Sequence, residues 1–284
     1  MKGNKTIGVL GGDRRQAYLA RALAEEGWPV LASRMEGCPE AQGLEQAEPE
    51  ELCGRCGAVV LPLPATRDGK VLFAPFAKEP VALTEGFAAL FKGKRVLGGM
   101  LGPLLATSPL WGQADCQDYY EREELLVGNA VLTAEGAVGA AVESWEGAIN
   151  GSRCLVTGFG RIGKALCLAL RGLGARVDCC ARKPKDRTAI RALGCGAPCY
   201  EEIGGGYDLI FNTVPAQVLG RRELERQQPG ALLFELASSP GGIDLEAAEK
   251  LGLRVLPQPG LPGRKSPKAA GELIKEAVCN MMAY

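Results

Sequence analysis

The stretch at residues 154–163, CLVTGFGRIG, constrains this chain more than any other. An apolar run (Cys154, Leu155, Val156) leads into Gly158-Phe159-Gly160-Arg161-Ile162-Gly163, and the apolar-periodic segment KALCLALRGLGA follows at once. Strand, glycine turn and helix in that order are the setting in which GxGxxG has a mechanism. Gly158 permits the tight turn, Gly160 lets the backbone approach a pyrophosphate, and Gly163 lets the helix pack closely on the strand. The start of the helix offers free N–H groups and partial positive charge to the anion. All six residues are candidate cofactor contacts.

The sequence around the motif alternates as such a fold requires. Strands are expected near 153–157, 176–181, 197–200, 208–214, 231–237 and 254–256, with helices near 161–173, 184–193, 217–226, 243–251 and 267–282. Six strands separated by helices predict a doubly wound, Rossmann-type parallel sheet. Upstream, a strand at 5–10, a GGD turn, a helix at 14–26 and a strand at 29–32 make a second βαβ start. Its glycine turn lacks the third glycine, so it reads as a tight turn and the weaker of two dinucleotide candidates. A short helix in a surface loop at 36–55, strands at 57–63 and 94–97, and a helix at 82–92 come next. A short helix starting at Ser108-Pro109, a strand and connector at 118–126 and a helix at 133–145 complete a smaller flavodoxin- or Rossmann-like α/β domain. A chain of 284 residues accommodates two domains of about 130–150 each. The small, polar break at 144–151 places the boundary, giving domains at 1–145 and 146–266. The last helix, 267–284, is expected to pack back on the first, with Ser266 as its cap.

The end of the second strand selects the nucleotide. An NAD site wants a carboxylate there for the ribose 2′-hydroxyl. This chain has Ala181, followed by Arg182 and Lys183, while Asp178 comes too early. A missing carboxylate beside a cation favours a 2′-phosphate, hence NADP over NAD, by about 1.5–3 kcal/mol. Thr213, Val214 and Pro215, and then Ala237, end the next two strands in the layer where the second ribose and nicotinamide would lie.

Lys plus Arg and Asp plus Glu are both 33, which argues against a nucleic-acid surface. No apolar run is expected to approach the ~18 residues of a membrane span, and the N-terminus is too short in apolar residues for a signal peptide. A cytoplasmic location is expected. The eleven cysteines fit reduced thiols, and Cys53 and Cys56 form the only CxxC, without a second pair to complete a metal site. The chain has no histidine, so imidazole acid–base chemistry and His metal ligation are excluded, and no metal is expected.

Several segments go beyond a generic dinucleotide fold: VLGGDRRQ at 9–16, LPLPATRDG at 61–69, TAEGAVGAAV at 133–142, ELASSPGGID at 235–244 and PGLPGRKSPKAAGELI at 259–274. In this order around the nucleotide motif, the chain resembles the A subunit of bacterial dipicolinate synthase over essentially its whole length. The resemblance implies a spore-forming bacterium, with the protein in its mother cell. It also implies an NADP-linked oxidation of dihydrodipicolinate to pyridine-2,6-dicarboxylate, partnership with a flavoprotein-like B subunit, and oligomeric assembly. More distantly the layout resembles D-2-hydroxyacid and alanine dehydrogenases, whose catalytic His this chain lacks. The alternatives are another NADP-dependent oxidoreductase on a small carboxylate, or a non-catalytic nucleotide-binding subunit. A substrate with two carboxylates needs cationic or N–H donors. The candidates are Arg14, Arg15, Thr66, Ser238, Ser239 and Lys268, with Glu135, Asp13 or a water for the proton.

Overall fold

The computed structural model describes residues 6–283; Lys5, where the first strand is expected to begin, and Tyr284, at the end of the last segment, lie outside them. Contacts divide the chain into two units, one running to Asn129 and resuming at Ser266, the other Ala130–Lys265. The first unit holds β1 (Ile7–Leu10), β2 (Val30–Ser33), β3 (Ala58–Val60), β4 (Arg95–Gly98) and β5 (Asp115–Asp118). Its sheet has the order β2-β1-β3-β4-β5 and every pair is parallel. The helices are α1 (Arg14–Glu25), α2 (Pro49–Arg55), α3 (Glu85–Ala89), α4 (Gly102–Leu105) and the start of α5 (Glu123–Ser144).

The second unit repeats the layout. β6 (Arg153–Thr157), β7 (Arg176–Cys180), β8 (Leu209–Asn212), β9 (Leu232–Glu235) and β10 (Arg254–Pro257) form a parallel sheet ordered β10-β9-β8-β6-β7. Between and after them lie α6 (Arg161–Gly172), α7 (Pro184–Ala192), α8 (Arg221–Leu224), α9 (Leu245–Lys250) and α10 (Leu261–Lys265), and α11 (Pro267–Met282) ends the chain. Both sheets therefore have the doubly wound order 2-1-3-4-5, whose switch point lies between the first and third strands.

The period-2 geometry of a strand explains the two cores in each unit. On β6, Cys154 and Val156 enter one cluster with Leu166 and Leu170 of α6, while Leu155 enters the other with Ile210 and Leu233. On β1, Ile7 and Val9 face Leu19 and Leu23 of α1 and Ile274 and Val278 of α11. The last helix thus packs on α1, and Gly271 makes the approach possible: a Cβ there would lie 2.5 Å from the Arg15 carbonyl oxygen. Ser266 caps it by position alone, with no side-chain bond to the helix.

Four expectations are corrected. The second sheet has five strands, because 197–200 is not one. The chain makes a single bridge at Gly196, and Pro198, which has no N–H to donate, is followed by a 3₁₀ turn at Tyr200–Glu202. The strand and connector expected at 118–126 is split between β5 and the early start of α5, where Glu123 and Glu124 favour the positive helix end. The helix at 217–226 shrinks to α8, since Leu219 bridges Ile243 instead. Finally, α5 is by length and composition apolar enough to cross a membrane. Half of its most apolar window is buried in the fold, through small residues such as Ala134, Ala137 and Ala141. The two units divide inside this continuous helix rather than at the polar break 144–151, which only separates α5 from β6.

Candidate dinucleotide site

The β6–α6 turn is built by its three glycines, each for a different reason. Gly158 has φ +94° in the left-handed region, and a Cβ on it would lie 2.6 Å from the Thr213 hydroxyl. A Cβ on Gly163 would come within 2.0 Å of the Gly158 carbonyl oxygen, so only glycine allows α6 this close to the turn. A Cβ on Gly160 would meet nothing within 4 Å. The middle glycine thus opens onto space, and it is the N-cap of a 12-residue helix that no side chain caps. An open approach in front of uncapped helical amides fits a pyrophosphate. Phe159 and Ile162 flank the turn half-buried, the ammonium of Lys164 lies 5.3 Å from the Phe159 ring centre, and Arg161 is exposed.

Three neighbouring strand ends lock the loops around this turn. The Thr157 hydroxyl donates to Asn212 Oδ1 at 2.6 Å, and Asn212 Nδ2 donates to Glu235 Oε1 at 2.7 Å and to the Val214 carbonyl at 3.0 Å. Glu235 also accepts the N–H groups of Ala237, Gly242 and Ile243 at 2.9–3.2 Å. The Thr213 hydroxyl donates to the Thr157 carbonyl at 2.8 Å. Thr213, Val214, Pro215 and Ala237, the expected cofactor residues of these loops, are thereby held at the carboxyl ends of β8 and β9. Below the turn, the Cys179 thiol donates to the Gly158 carbonyl at 3.6 Å. Contact with Cys167, together with burial, raises the Cys179 pKa and keeps that donor protonated.

At the end of β7, Ala181 is buried and Arg182 and Lys183 are exposed, with no carboxylate partner among the described residues. Asp178 is committed elsewhere, accepting the Tyr207 hydroxyl at 2.8 Å and facing Arg153. The Tyr200 hydroxyl lies 3.5 Å from the Cys180 carbonyl, and burial pushes its pKa up to about 12. Sequence reasoning missed Tyr200, Thr157 and Glu235 as site residues. Glu235 heads the ELASSPGGID segment, but its role needs the fold, because its partners come from β8 and from residues 237–243.

The first-unit candidates are largely engaged. Asp13 caps α1 by accepting Arg15 N–H at 3.0 Å and binds the Arg15 guanidinium at 2.9–3.2 Å, while Arg15 also donates to the Leu63 carbonyl. Arg14 pairs with Glu40 at 2.6 Å. Thr66 is buried, and its hydroxyl donates to the Val71 carbonyl at 2.7 Å and accepts Gly69 N–H. The structure brings Asp13, Arg15 and the loop after β3 together, but as a closed set of bonds. Lys268, on the first turn of α11 in the same unit, is exposed. In the second unit Ser238, Ser239 and Glu135 are exposed, with side chains that have no partner among the described residues. No group of three metal-ligating side chains occurs among the described residues. Cys53 and Cys56 are buried free thiols, and burial pushes Cys53 up to about 12, which marks it as inert packing.

Comparison with known proteins follows the whole chain. A family described as the N-terminal domain of the dipicolinate synthase A subunit matches residues 6–108. The dipicolinate synthase A subunit of Bacillus subtilis is 28% identical over 283 residues, covering 98% of this chain and 95% of its own. The crystal structure of that Bacillus subtilis protein superposes with a TM-score of 0.86 at 27% identity, covering 100% of this chain and 97% of its own. The corresponding dipicolinate synthase protein from Bacillus halodurans gives 0.88 at 26% identity, covering 100% and 99%. A transhydrogenase from Sinorhizobium meliloti shares the fold, at a TM-score of 0.70 and 15% identity over 97% and 93% of the two chains. The resemblance read from the sequence is thereby shown, as is the two-domain, dehydrogenase-like α/β fold.

Proposed function

From the premise that this chain is a relative of the dipicolinate synthase A subunits, we propose that it catalyses the NADP-dependent oxidation of dihydrodipicolinate to pyridine-2,6-dicarboxylate. It would act with a B subunit, inside a spore-forming cell. The observation that carries the reading is the β6–α6 turn: an open middle glycine before uncapped amides, with an unpaired arginine at the end of the next strand. When bound, NADP⁺ accepts a hydride. The α6 amides at Gly160 to Ile162 would hold its pyrophosphate, and Arg182 with Lys183 would hold the 2′-phosphate. Thr213, Val214, Pro215 and Ala237, in loops fixed by the Thr157–Asn212–Glu235 bonds, would hold the rest of the cofactor.

Oxidation of a dihydropyridine releases one hydride and one proton, and the gain of aromaticity removes the need for a strong base. That chemistry suits a chain with no histidine. Within the second unit, Glu135 or a water takes the proton, and Ser238 and Ser239 are available to substrate oxygens. Asp13 is already engaged with the Arg15 guanidinium.

The test mixes the purified chain, with and without its B partner, with NADP⁺ and freshly generated dihydrodipicolinate. Pyridine absorbance and NADPH should grow together. Cofactor binding without NADPH under either pairing would sink the proposal. Arg182→Ala should weaken NADP about ten- to hundredfold and leave NAD unchanged, corresponding to the loss of about 1.5–3 kcal/mol. Equal affinities before and after would remove the 2′-phosphate assignment.

A further inference from the structure

Arg14 and Arg15 are neutralised by Glu40 and Asp13. A carboxylate bound by the first unit must therefore find other cations. The chain leaving the carboxyl end of β3 supplies two. It folds back on itself through bridges at Thr66–Leu72 and Val71–Ala82, and outlines a groove of about 480 Å³ whose walls include Arg67, Val71, Phe73, Ala74, Lys78 and Pro80. That volume suits a small ligand.

The Arg67 guanidinium lies over the Phe73 ring, its carbon 4.2 Å from the ring centre. A cation over an aromatic face is held by the ring without using up its N–H donors, and the guanidinium fork matches a carboxylate. Asp68 also lines the groove, but it makes no ion pair with Arg67. Asp68 Oδ1 accepts Lys70 N–H at 2.8 Å and Val71 N–H at 3.1 Å, and these bonds hold its pKa below the usual carboxylate value. Lys78 meets Glu36 only through its backbone N–H, at 3.4 Å. Neither Arg67 nor Lys78 has an ion-pair partner among the described residues. Phe73 is itself pinned at both backbone groups: its N–H donates to Ala65, and its carbonyl accepts the N–H of Gly12 at 2.8 Å.

We propose that this groove binds a small planar dicarboxylate, with the Arg67 fork on one carboxylate, the Lys78 ammonium on the other and the ring against Val71, Ala74 and Pro80. The geometry of two unpaired cations on an apolar floor carries the dicarboxylate; that the ring is a pyridine rests on the function proposed above.

The test measures binding of pyridine-2,6-dicarboxylate, pyridine-2-carboxylate and glutarate to the full chain by calorimetry, with NADP affinity as the control for folding. The dicarboxylate pyridine should bind at least tenfold more tightly than the monocarboxylate. Arg67→Ala should lose tenfold or more, Arg67→Lys should recover only part of it, and Lys78→Ala should erase most of the difference between the two pyridines. NADP affinity should stay constant throughout. Arg67→Ala binding like the unaltered chain, or no binding of any probe, overturns the groove. Arg67-dependent binding of glutarate without pyridine-2,6-dicarboxylate keeps the groove and removes the proposed substrate.

Discussion

The β1–α1 turn of the first unit and the β6–α6 turn of the second occupy the same place in sheets of identical order, and they do opposite things. In the second unit the turn is open in front and no side chain caps the helix. In the first, Gly12 has φ +98° but the Gln16 side chain sits where its Cβ would be, and the Gly12 N–H is spent on the Phe73 carbonyl. Asp13 puts a carboxylate of the protein's own at the helix start. The position that could hold a phosphate instead anchors the loop that carries Arg67. Topology sets where a ligand site can form, and a few side chains decide whether it does.

The largest expected effect concerns what the two units share. Burial pushes Cys53 and Cys180 up to about 12, and Cys38 and Cys154 up to about 11, from an ordinary 9.0. The fold holds these thiols neutral while the unfolded chain ionises near pH 9. Their contribution is complete below that pH and is lost as pH rises towards 12. Each tenfold difference in acidity between folded and unfolded thiol corresponds to about 1.4 kcal/mol, so stability should fall by several kcal/mol across that window. Denaturant unfolding at pH 8 to 11 would show it, and Cys180→Ser should flatten the slope; an unchanged slope would mean that the cause is not this burial.

Next comes a contrast within one turn. Gly163→Ala drives a methyl into a backbone oxygen and should cost about 3 kcal/mol or more, abolishing NADP binding. Gly160→Ala enters open space, so stability should change by less than about 0.5 kcal/mol while NADP affinity drops tenfold or more. Thermal unfolding paired with NADP titration separates the two. If Gly160→Ala binds NADP normally, the pyrophosphate does not lie there.

The smallest effect tests the first unit. Asp13→Ala removes the α1 cap and should cost about 1–2 kcal/mol, leaving NADP affinity untouched. A weakened NADP affinity would show that the first turn contributes to the cofactor after all.

Much of the fold was legible because its signals are local. Strand 153–157, the glycine turn and α6 fall where periodicity and GxGxxG put them, as do α7 at Pro184 and α11 at Pro267. The false strand at 197–200 shows the limit. Its residues look strand-like, yet Pro198 and the tie from Gly196 back to Val177 leave nothing to pair with. The candidate site divides the same way. Gly158, Gly160, Gly163, Ala181 and Arg182 could be named from spacing. Arg14, Arg15 and Thr66 looked equally available as binding groups, but Glu40 reaches Arg14 from a distant loop, and Asp13 and Val71, near in sequence, take up Arg15 and Thr66.

By itself the sequence determined the alternating α/β architecture, the nucleotide motif and its basic strand end, and the absence of imidazole chemistry. Each of these depends on residue type, short spacing or a count. Only the tertiary structure decided which glycine turn stays open and which cations stay unpaired. Both depend on partners that the fold brings up from elsewhere in the chain, Phe73 against Gly12 and Glu40 against Arg14. A charge is available to a ligand only when the fold has not already neutralised it, and no local pattern records that.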